Sequence, residues 1–261
     1  LFPKNFIDAC KKLILPAMKN QDTVPYWMSR TSLMLDEATV LKLMKKNVLV
    51  VGLGGVGGMC AEMIARAGIG KMTIVDADIV DDSNRNRQVP ALVSTSGKLK
   101  AEVMGNRIKD INPDIKLTII AEYIKDQRMI DILNSEPFDY VVDCIDTLTP
   151  KVYLIKHSLD LGLKIVSSMG AGGKKDPTQV KIDDISKSFN CKLAYYTRKR
   201  LHRLGIYKGL KVVFSTEQAD KSKVIEVEEG PKKSIIGTVP FLPAIFGCFL
   251  ASVVINDLSN C

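Results

Sequence analysis

Residues 47–88 read NVLVVGLGGVGGMCAEMIARAGIGKMTIVDADIVDDSNRNRQ, and the order of pieces in this stretch decides the fold. The apolar run Val48–Val51 reads as a buried strand, Gly52–Gly58 as a tight turn, and the residues after it as a helix. Glycine is needed at such a turn because amides at a helix N-terminus reach a phosphate only where no Cβ holds it away. Gly52, Gly54, Gly55 and Gly57 are therefore candidate phosphate contacts. A second apolar run, Met72–Val75, ends in Asp76. That carboxylate follows Gly52 by roughly two dozen residues, where a nucleotide-binding βαβ unit puts the acid that accepts from ribose hydroxyls.

A bare GxGxxG also occurs as ordinary tight-turn packing, and where it binds a nucleotide it more often marks NAD or FAD. The flanking residues point elsewhere. Asp76 is followed by Asp78, then by Ser83-Asn84-Arg85-Asn86-Arg87-Gln88, then by Lys98 and Lys100. This sets cations and amides beside the phosphate turn. A dinucleotide has little use for them, whereas cleavage of a triphosphate builds charge on the leaving pyrophosphate that guanidinium, ammonium and a metal ion must meet.

Further along, Leu117–Ile120, Tyr140–Cys144 and Lys164–Ser168 read as strands. Helices are expected over Cys60–Ala67, after Ser94–Lys98, and over Asp126–Leu133 and Lys151–Leu161, with another from about Asp36 to Lys46. Strands alternating with helices give an α/β, Rossmann-like, doubly wound and mostly parallel sheet. Asp146 follows a buried strand and so belongs at the carboxyl edge, facing the phosphates, where Mg²⁺ takes oxygen ligands. Each of these residues has a plainer reading: Asp76 as a turn cap, Lys100 as a solvated helix lysine, Asp146 as an N-cap. Cys144, in an apolar strand, reads as core.

The second half is more basic. Lys192–Arg203 is a helix with dense positive charge, adjacent tyrosines and no acids. Most charge runs are solvated faces, but the aromatics favour contact with a nucleic-acid backbone through Arg198, Lys199, Arg200 and Arg203. Gln21–Ser29 and Asp220–Lys233 read as loops; Phe6–Pro16, far below a membrane span, reads first as a short packed helix, with the remnant of a targeting region or a surface anchor as alternatives. Phe241–Leu258 is long and apolar, yet Pro240, Pro243 and Gly247 suit close packing on a sheet better than a bilayer.

A chain of 261 residues can bury the core of one large α/β domain, and a net charge of +8 accords with a nucleic-acid partner. The six cysteines (Cys10, Cys60, Cys144, Cys191, Cys248 and Cys261) form no CxxC pair, and there are only two histidines. Four-ligand zinc spacing is therefore absent, and a disulfide framework is not indicated.

GLGGVGG, IVDADIVDDSNRNRQ, GKLKAEVMGNRIKDINP and DYVVDCIDT together resemble the ATP-binding core of the adenylating superfamily that includes ubiquitin-activating enzymes and sulfur-carrier activators. SSMGAGGKKDPTQVKIDDISKSFNCKLA, RKRLHRLGI, VVFSTE and EEGPKK are similar to the tRNA threonylcarbamoyladenosine dehydratases. The resemblance covers most of residues 30–256. It implies one ThiF-like adenylating domain over 30–256 behind an N-terminal extension, 1–29. Within it, an ATP-binding core occupies about 46–170, a tRNA and substrate region about 171–240, and a packing helix about 241–258. It also implies ATP and Mg²⁺ as cofactors and tRNA as partner, with Arg87, Lys100 and Asp146 catalytic, Asp146 on the metal, and Asp76, Asp78, Asn84 and Gln88 on ATP. Arg30 matches an arginine that relatives send to the triphosphate, often across a homodimer interface. In relatives the segment Gly170–Gly173 lines the acceptor side, and a cysteine can follow the GPK sequence, where this chain has Ser234 onward.

The reaction implied is ATP-dependent cyclodehydration of threonylcarbamoyladenosine beside the anticodon; the alternative is adenylation of a carrier protein's C-terminal glycine. The implied address is the cytoplasm or the cytosolic face of the mitochondrial outer membrane, with any membrane association made by segments outside this sequence.

Overall fold

β1 (Asn47–Val51) is buried at every position because helices cover both of its faces. In the computed structural model, which describes residues 23–226 and 234–260, it lies inside a seven-stranded sheet of order β3-β2-β1-β4-β5-β7-β6. The others are β2 (Lys71–Val75), β3 (Lys116–Ile120), β4 (Tyr140–Asp143), β5 (Ile165–Ser168), β6 (Val180–Asp184) and β7 (Lys211–Ser215). All neighbours pair in parallel except β6, which runs antiparallel to β7. The α/β, doubly wound, mostly parallel expectation is met, and the strand order reverses between β1 and β4, where such sheets open a crevice. β6 was not foreseen. Its alternation of Val180 and Ile182 with Lys181 and Asp183 is that of a half-exposed edge strand, too short to register against the turn that precedes it.

The helices are α1 (Ser29–Leu35), α2 (Glu37–Leu43), α3 (Gly57–Arg66), α4 (Lys100–Ile111), α5 (Asp126–Asn134), α6 (Leu148–Asp160), α7 (Lys192–Arg203) and α8 (Phe241–Ser259). Alternate residues of β1 feed two cores. Val48 and Val50 pack with α3, α4 and α8, whereas Leu49 and Val51 pack on the face covered by α5, α6 and α7. The helix expected from about Asp36 to Lys46 is α2, which starts where expected: Asp36 takes φ 64° and its side chain accepts from the Thr39 amide at 2.7 Å, a cap that separates α2 from the unforeseen α1. Gln21–Ser29 contains a 3-10 turn at Tyr26–Met28, held by the buried Met28. Asp220–Lys233 is not all loop, since β8 (Val224–Glu226) pairs with β9 (Ser234–Ile236). The readings of Phe6–Pro16 and of the EEGPKK stretch fall outside the described residues.

The apolar α8 is long enough to cross a bilayer, but half of it is buried. Its close partner is α3: a Cβ on Gly247 would come within 2.5 Å of the Val56 carbonyl oxygen and 2.9 Å of the Met59 Cβ. Only glycine lets these two helices approach so closely, as packing on the sheet required. Two ionic ties complete the frame. Glu62 of α3 accepts from Arg107 of α4 at 2.6 Å, and Asp257 of α8 accepts from Tyr140 of β4 at 2.8 Å and Lys211 of β7 at 2.7 Å. Burial alone would raise the Glu62 carboxyl, but hydrogen bonds from Arg107 and Arg66 carry it below its ordinary range.

Candidate active site

Four glycines of the turn do different jobs. Gly52 has φ 90°, and a Cβ there would meet the Cys144 carbonyl oxygen at 2.9 Å; a Cβ on Gly57 would overlap the Gly52 carbonyl. These two allow the strand-to-helix turn to close against β4. Gly55 is hemmed in by Pro243 of α8 and the Arg87 backbone. Gly54 is the exception: a Cβ there would find only the Gln88 amide, at 3.8 and 3.9 Å. Nothing in the protein requires glycine at position 54, so the space above it is left for something else. α3 begins just below, with no side-chain N-cap and no acid in its first turn, so its N-terminal amides are offered to an outside acceptor.

That contrast makes a prediction. Gly54→Ala should leave the unfolding midpoint nearly unchanged and weaken ATP at least tenfold, read by calorimetric titration; equal affinity would mean that no phosphate approaches Gly54.

Around this turn the sequence-predicted residues gather. The Asp76 carboxylate accepts from the Leu53 amide at 2.6 Å and from the Asp78 amide at 2.8 Å, which fixes it against the turn. Burial pushes its carboxyl above the ordinary aspartate range, against the pull of those amides and of Lys100. A carboxylate so desolvated gains from ribose hydroxyl donors. Lys100 is buried on the first turn of α4, and its Nζ is 2.8 Å from Asp78 Oδ2. It is thus not the solvated lysine of the plainer reading. Arg87 lies against Gly55, its Nη1 donating to the Ser83 carbonyl at 3.1 Å and to Asn86 Oδ1 at 2.7 Å. Gln88 has a buried Oε1 without a hydrogen bond, beside Gly54. A buried amide oxygen that lacks a donor is costly, and a hydroxyl or amine donor from a bound molecule would satisfy it.

Other expectations are redirected. The Asn84 side chain closes its own 3-10 turn, its Oδ1 accepting from the Asp81 amide at 3.4 Å. Asp146 is exposed beyond β4, while Thr147 occupies the N-cap position of α6, so the N-cap reading of Asp146 does not hold. Arg30 is far from this chain's own turn. Met28, two residues before it, packs against Gly68 at the opposite end of α3, about 15 Å along ten helical residues. Arg198 does not join the basic face: its guanidinium turns inward to the Ser188 carbonyl at 2.6 Å and also bonds the Ser188 hydroxyl. A partly buried arginine at this position is satisfied by carbonyls, so Lys199, Arg200 and Arg203 carry the exposed charge.

The least expected element is a buried ion pair beneath the site. Asp143 and Lys151 have fully buried side chains 2.5 Å apart. Asp143 Oδ2 also accepts from Ser167 Oγ, and its Oδ1 accepts from the Ile145 amide at 3.0 Å; Lys151 Nζ donates to the Ser168 carbonyl at 2.8 Å. One lysine thereby ties the end of β4, which launches Asp146, to the end of β5, which launches Gly170–Gly173. The sequence did carry a signal. A carboxylate inside Tyr140-Val-Val-Asp143 cannot be buried alone, so a cation had to reach it.

The acceptor segment is held as firmly. The Gly170 amide donates to Cys191 Sγ at 3.3 Å, the Gly173 amide to the Gly237 carbonyl at 2.8 Å, and Lys174 Nζ to the Ser215 carbonyl at 2.7 Å. Glu217, of the FSTE motif, accepts from the Lys175 and Asp176 amides. Asn86 donates to the Thr238 carbonyl at 3.1 Å, closing a link from the SNRNRQ loop to the strap after β9. Cys191, the N-cap of α7, is a cysteine beside this segment; the sequence reading had left it unassigned.

The turn and its flanking residues can cradle phosphates and hold a ribose, with Gly170–Gly173 fixed just after β5. Among the described residues there is no cluster of three or more His, Cys, Asp or Glu side chains for a metal ion. Asp143 is sequestered by Lys151, so of the two aspartates at this strand end the exposed Asp146 is the one a Mg²⁺ could reach.

Comparison with known proteins agrees with this geometry. The ThiF family profile matches residues 28–261. The tRNA threonylcarbamoyladenosine dehydratase of Bacillus subtilis is 34% identical over 243 residues, covering 88% of this chain and 93% of that protein. The Escherichia coli protein of the same name is 37% identical over 219 residues, covering 77% and 81%. The crystal structure of E. coli TcdA, a tRNA N6-threonylcarbamoyladenosine dehydratase, in complex with ATP superposes with a TM-score of 0.80 at 32% identity, over 91% of this chain and 97% of that one. The fold, the cradle and these likenesses together place the chain in the ThiF family, among the tRNA threonylcarbamoyladenosine dehydratases.

Proposed function

We propose that this enzyme uses ATP to cyclise threonylcarbamoyladenosine in tRNA. A carboxylate is a poor electrophile because oxide is a poor leaving group. In the proposed reaction the carboxylate of the modified base attacks the α-phosphorus, pyrophosphate departs, and an acyl-adenylate forms. A neighbouring nucleophile of the same side chain then attacks the acyl carbon and loses its proton, and AMP leaves with one former carboxylate oxygen. The net change in the nucleoside is loss of one water. Ring closure is intramolecular, so its entropic cost is small and no protein thioester is needed.

In this reading the Gly54–Gly57 turn holds the phosphates, Asp76 the ribose, and Gln88 a donor of the nucleotide. Arg87 and Lys100 meet charge on the leaving pyrophosphate, and Asp146 would hold Mg²⁺, which supplies further charge neutralisation. Lys199, Arg200 and Arg203 contact the tRNA backbone. The substrate rests on one observation: the likeness to the dehydratases covers 88% of this chain and 93% of the Bacillus subtilis protein, and 91% and 97% in the structural comparison. Incubation with ATP, Mg²⁺ and tRNA bearing the modified base should yield a nucleoside lighter by one water and an equivalent of AMP. AMP formed only on addition of a carrier protein, with tRNA unchanged, would transfer the proposal to carrier adenylation.

A homodimer is part of the same reading. α1 exposes Leu33 (88%) and Met34 (82%) next to Arg30, as if to meet a second copy that would receive Arg30 at its triphosphate. Sedimentation at the mass of one chain would remove this part. The cytoplasm is the setting this reading keeps; the bacterial relatives compared above lend no support to a mitochondrial membrane.

A further inference from the structure

α7 has two faces. Ala194, Thr197 and Leu201 are buried against the sheet, whereas Lys192, Tyr195, Tyr196, Lys199, Arg200 and Arg203 are exposed. At 100° per residue, Lys192, Tyr196, Lys199 and Arg203 fall in one narrow stripe, with Tyr195 and Arg200 on its flanks. No acid interrupts them. The two tyrosines, about half exposed, meet edge to face with ring centroids 5.2 Å apart. Just past the helix Tyr207 is 61% exposed, its ring 5.1 Å from that of His202.

Aromatic rings facing water beside unopposed cations suit a partner that uses both. A double helix would use only the cations, because its bases are stacked on one another. Unpaired nucleotides offer free base faces as well as phosphates. The place of α7 fits this partner. Its N-cap, Cys191, accepts from the Gly170 amide, and Arg200 donates to Thr149 Oγ1 at 2.8 Å on α6, the helix that follows Asp146. The stripe thus begins at the acceptor segment and leads away from it.

Resting on the tRNA reading above, we propose that Tyr195 and Tyr196 form a stacking platform for unpaired nucleotides flanking the one that reacts, while Lys199 and Arg203 hold their phosphates. The protein then recognises an open loop, not RNA charge in general. Position along the chain is read by the distance from Gly170 to the tyrosines, and sequence enters weakly, since every base has a stackable face.

The test uses the full chain, a synthetic RNA hairpin with an unpaired loop, and a continuous RNA duplex of matched length, with affinity followed across a salt series. The wild-type protein should prefer the hairpin. Y195A/Y196A should bind it roughly five- to a hundred-fold more weakly, with the salt slope unchanged and the duplex unaffected. Y195F/Y196F should keep wild-type affinity, because stacking needs the ring and not the hydroxyl. Lys199→Ala and Arg203→Ala should instead lower the salt slope, by about one each, on both RNAs. Unfolding midpoints check that each variant is folded.

Hairpin affinity unchanged in Y195A/Y196A, while modified tRNA still loses water, would overturn the platform and leave the tRNA reading intact. No binding of tRNA or hairpin by the wild-type chain would overturn both. Capture on anionic lipid vesicles through the tyrosines, with RNA ignored, would assign the stripe to a membrane surface and overturn the platform.

Discussion

Lys151→Met should unfold at a markedly lower temperature than the native sequence. The ammonium it removes is fully buried and holds Asp143 Oδ2, Ser167 Oγ and the Ser168 carbonyl together. Loss of one member of a buried pair strands the other charge in a medium that cannot solvate it, at a cost of about 3–5 kcal/mol. For a domain of this size that corresponds to a fall in Tm of roughly 6–20 °C. The double variant K151M/D143L removes the stranded carboxylate and should regain at least half of the loss. Thermal scans of the two variants decide the matter. A single variant within about 1 kcal/mol of wild type would mean that Asp143 is not charged in the folded protein.

Lys100→Ala should do the reverse, leaving the fold nearly intact while stopping the reaction. Lys100 is as deeply set as many core residues, but its partner Asp78 has 68% of its side chain exposed, so water can replace the lost ammonium. The ion-pair part of the stability cost should therefore stay at about the 0–1 kcal/mol of a pair open to water, with lost packing of the buried Lys100 stem added to it. The chemistry has no such substitute. A preorganised cation at developing phosphate charge contributes about 10²–10³ in rate, and AMP release in the presence of modified tRNA should drop by that factor. ATP affinity, measured separately by titration, should weaken far less, because the added charge appears only as pyrophosphate leaves. Undiminished AMP release would remove Lys100 from the reaction. Lys100→Arg should rescue incompletely, since a planar guanidinium does not occupy the place of a point charge.

The two lysines show what could and could not be seen in the chain. Lys100 was legible because the strand, glycine turn, acid and amide-rich loop come in a fixed order, and the carboxyl edge of a parallel sheet gathers whatever follows each strand. Lys151 was not, although the buried Asp143 advertised a missing cation, since its partner stands eight residues on behind a turn and a proline. Arg198 escaped for a related reason. Charge and helical spacing put it beside Lys199, but whether a side chain turns inward depends on the carbonyls of Ile185 and Ser188, which come from another part of the chain. β6 and the β8–β9 pair are short and take their stability from neighbours more than from their own pattern, so no run of residues announced them.

The manner in which α8 is packed bears on how the chain matures. Val48 and Val50, synthesised long before α8, share a cluster with its Phe246, Leu250 and Val254. One side of the sheet therefore stays only partly covered, by α3 and α4, until α8 is made, and is open meanwhile to wrong partners. That face is completed only once α8 has been made, and a ribosome that stalls before position 241 would release a nucleotide cradle covered on this side by α3 and α4 but not by α8.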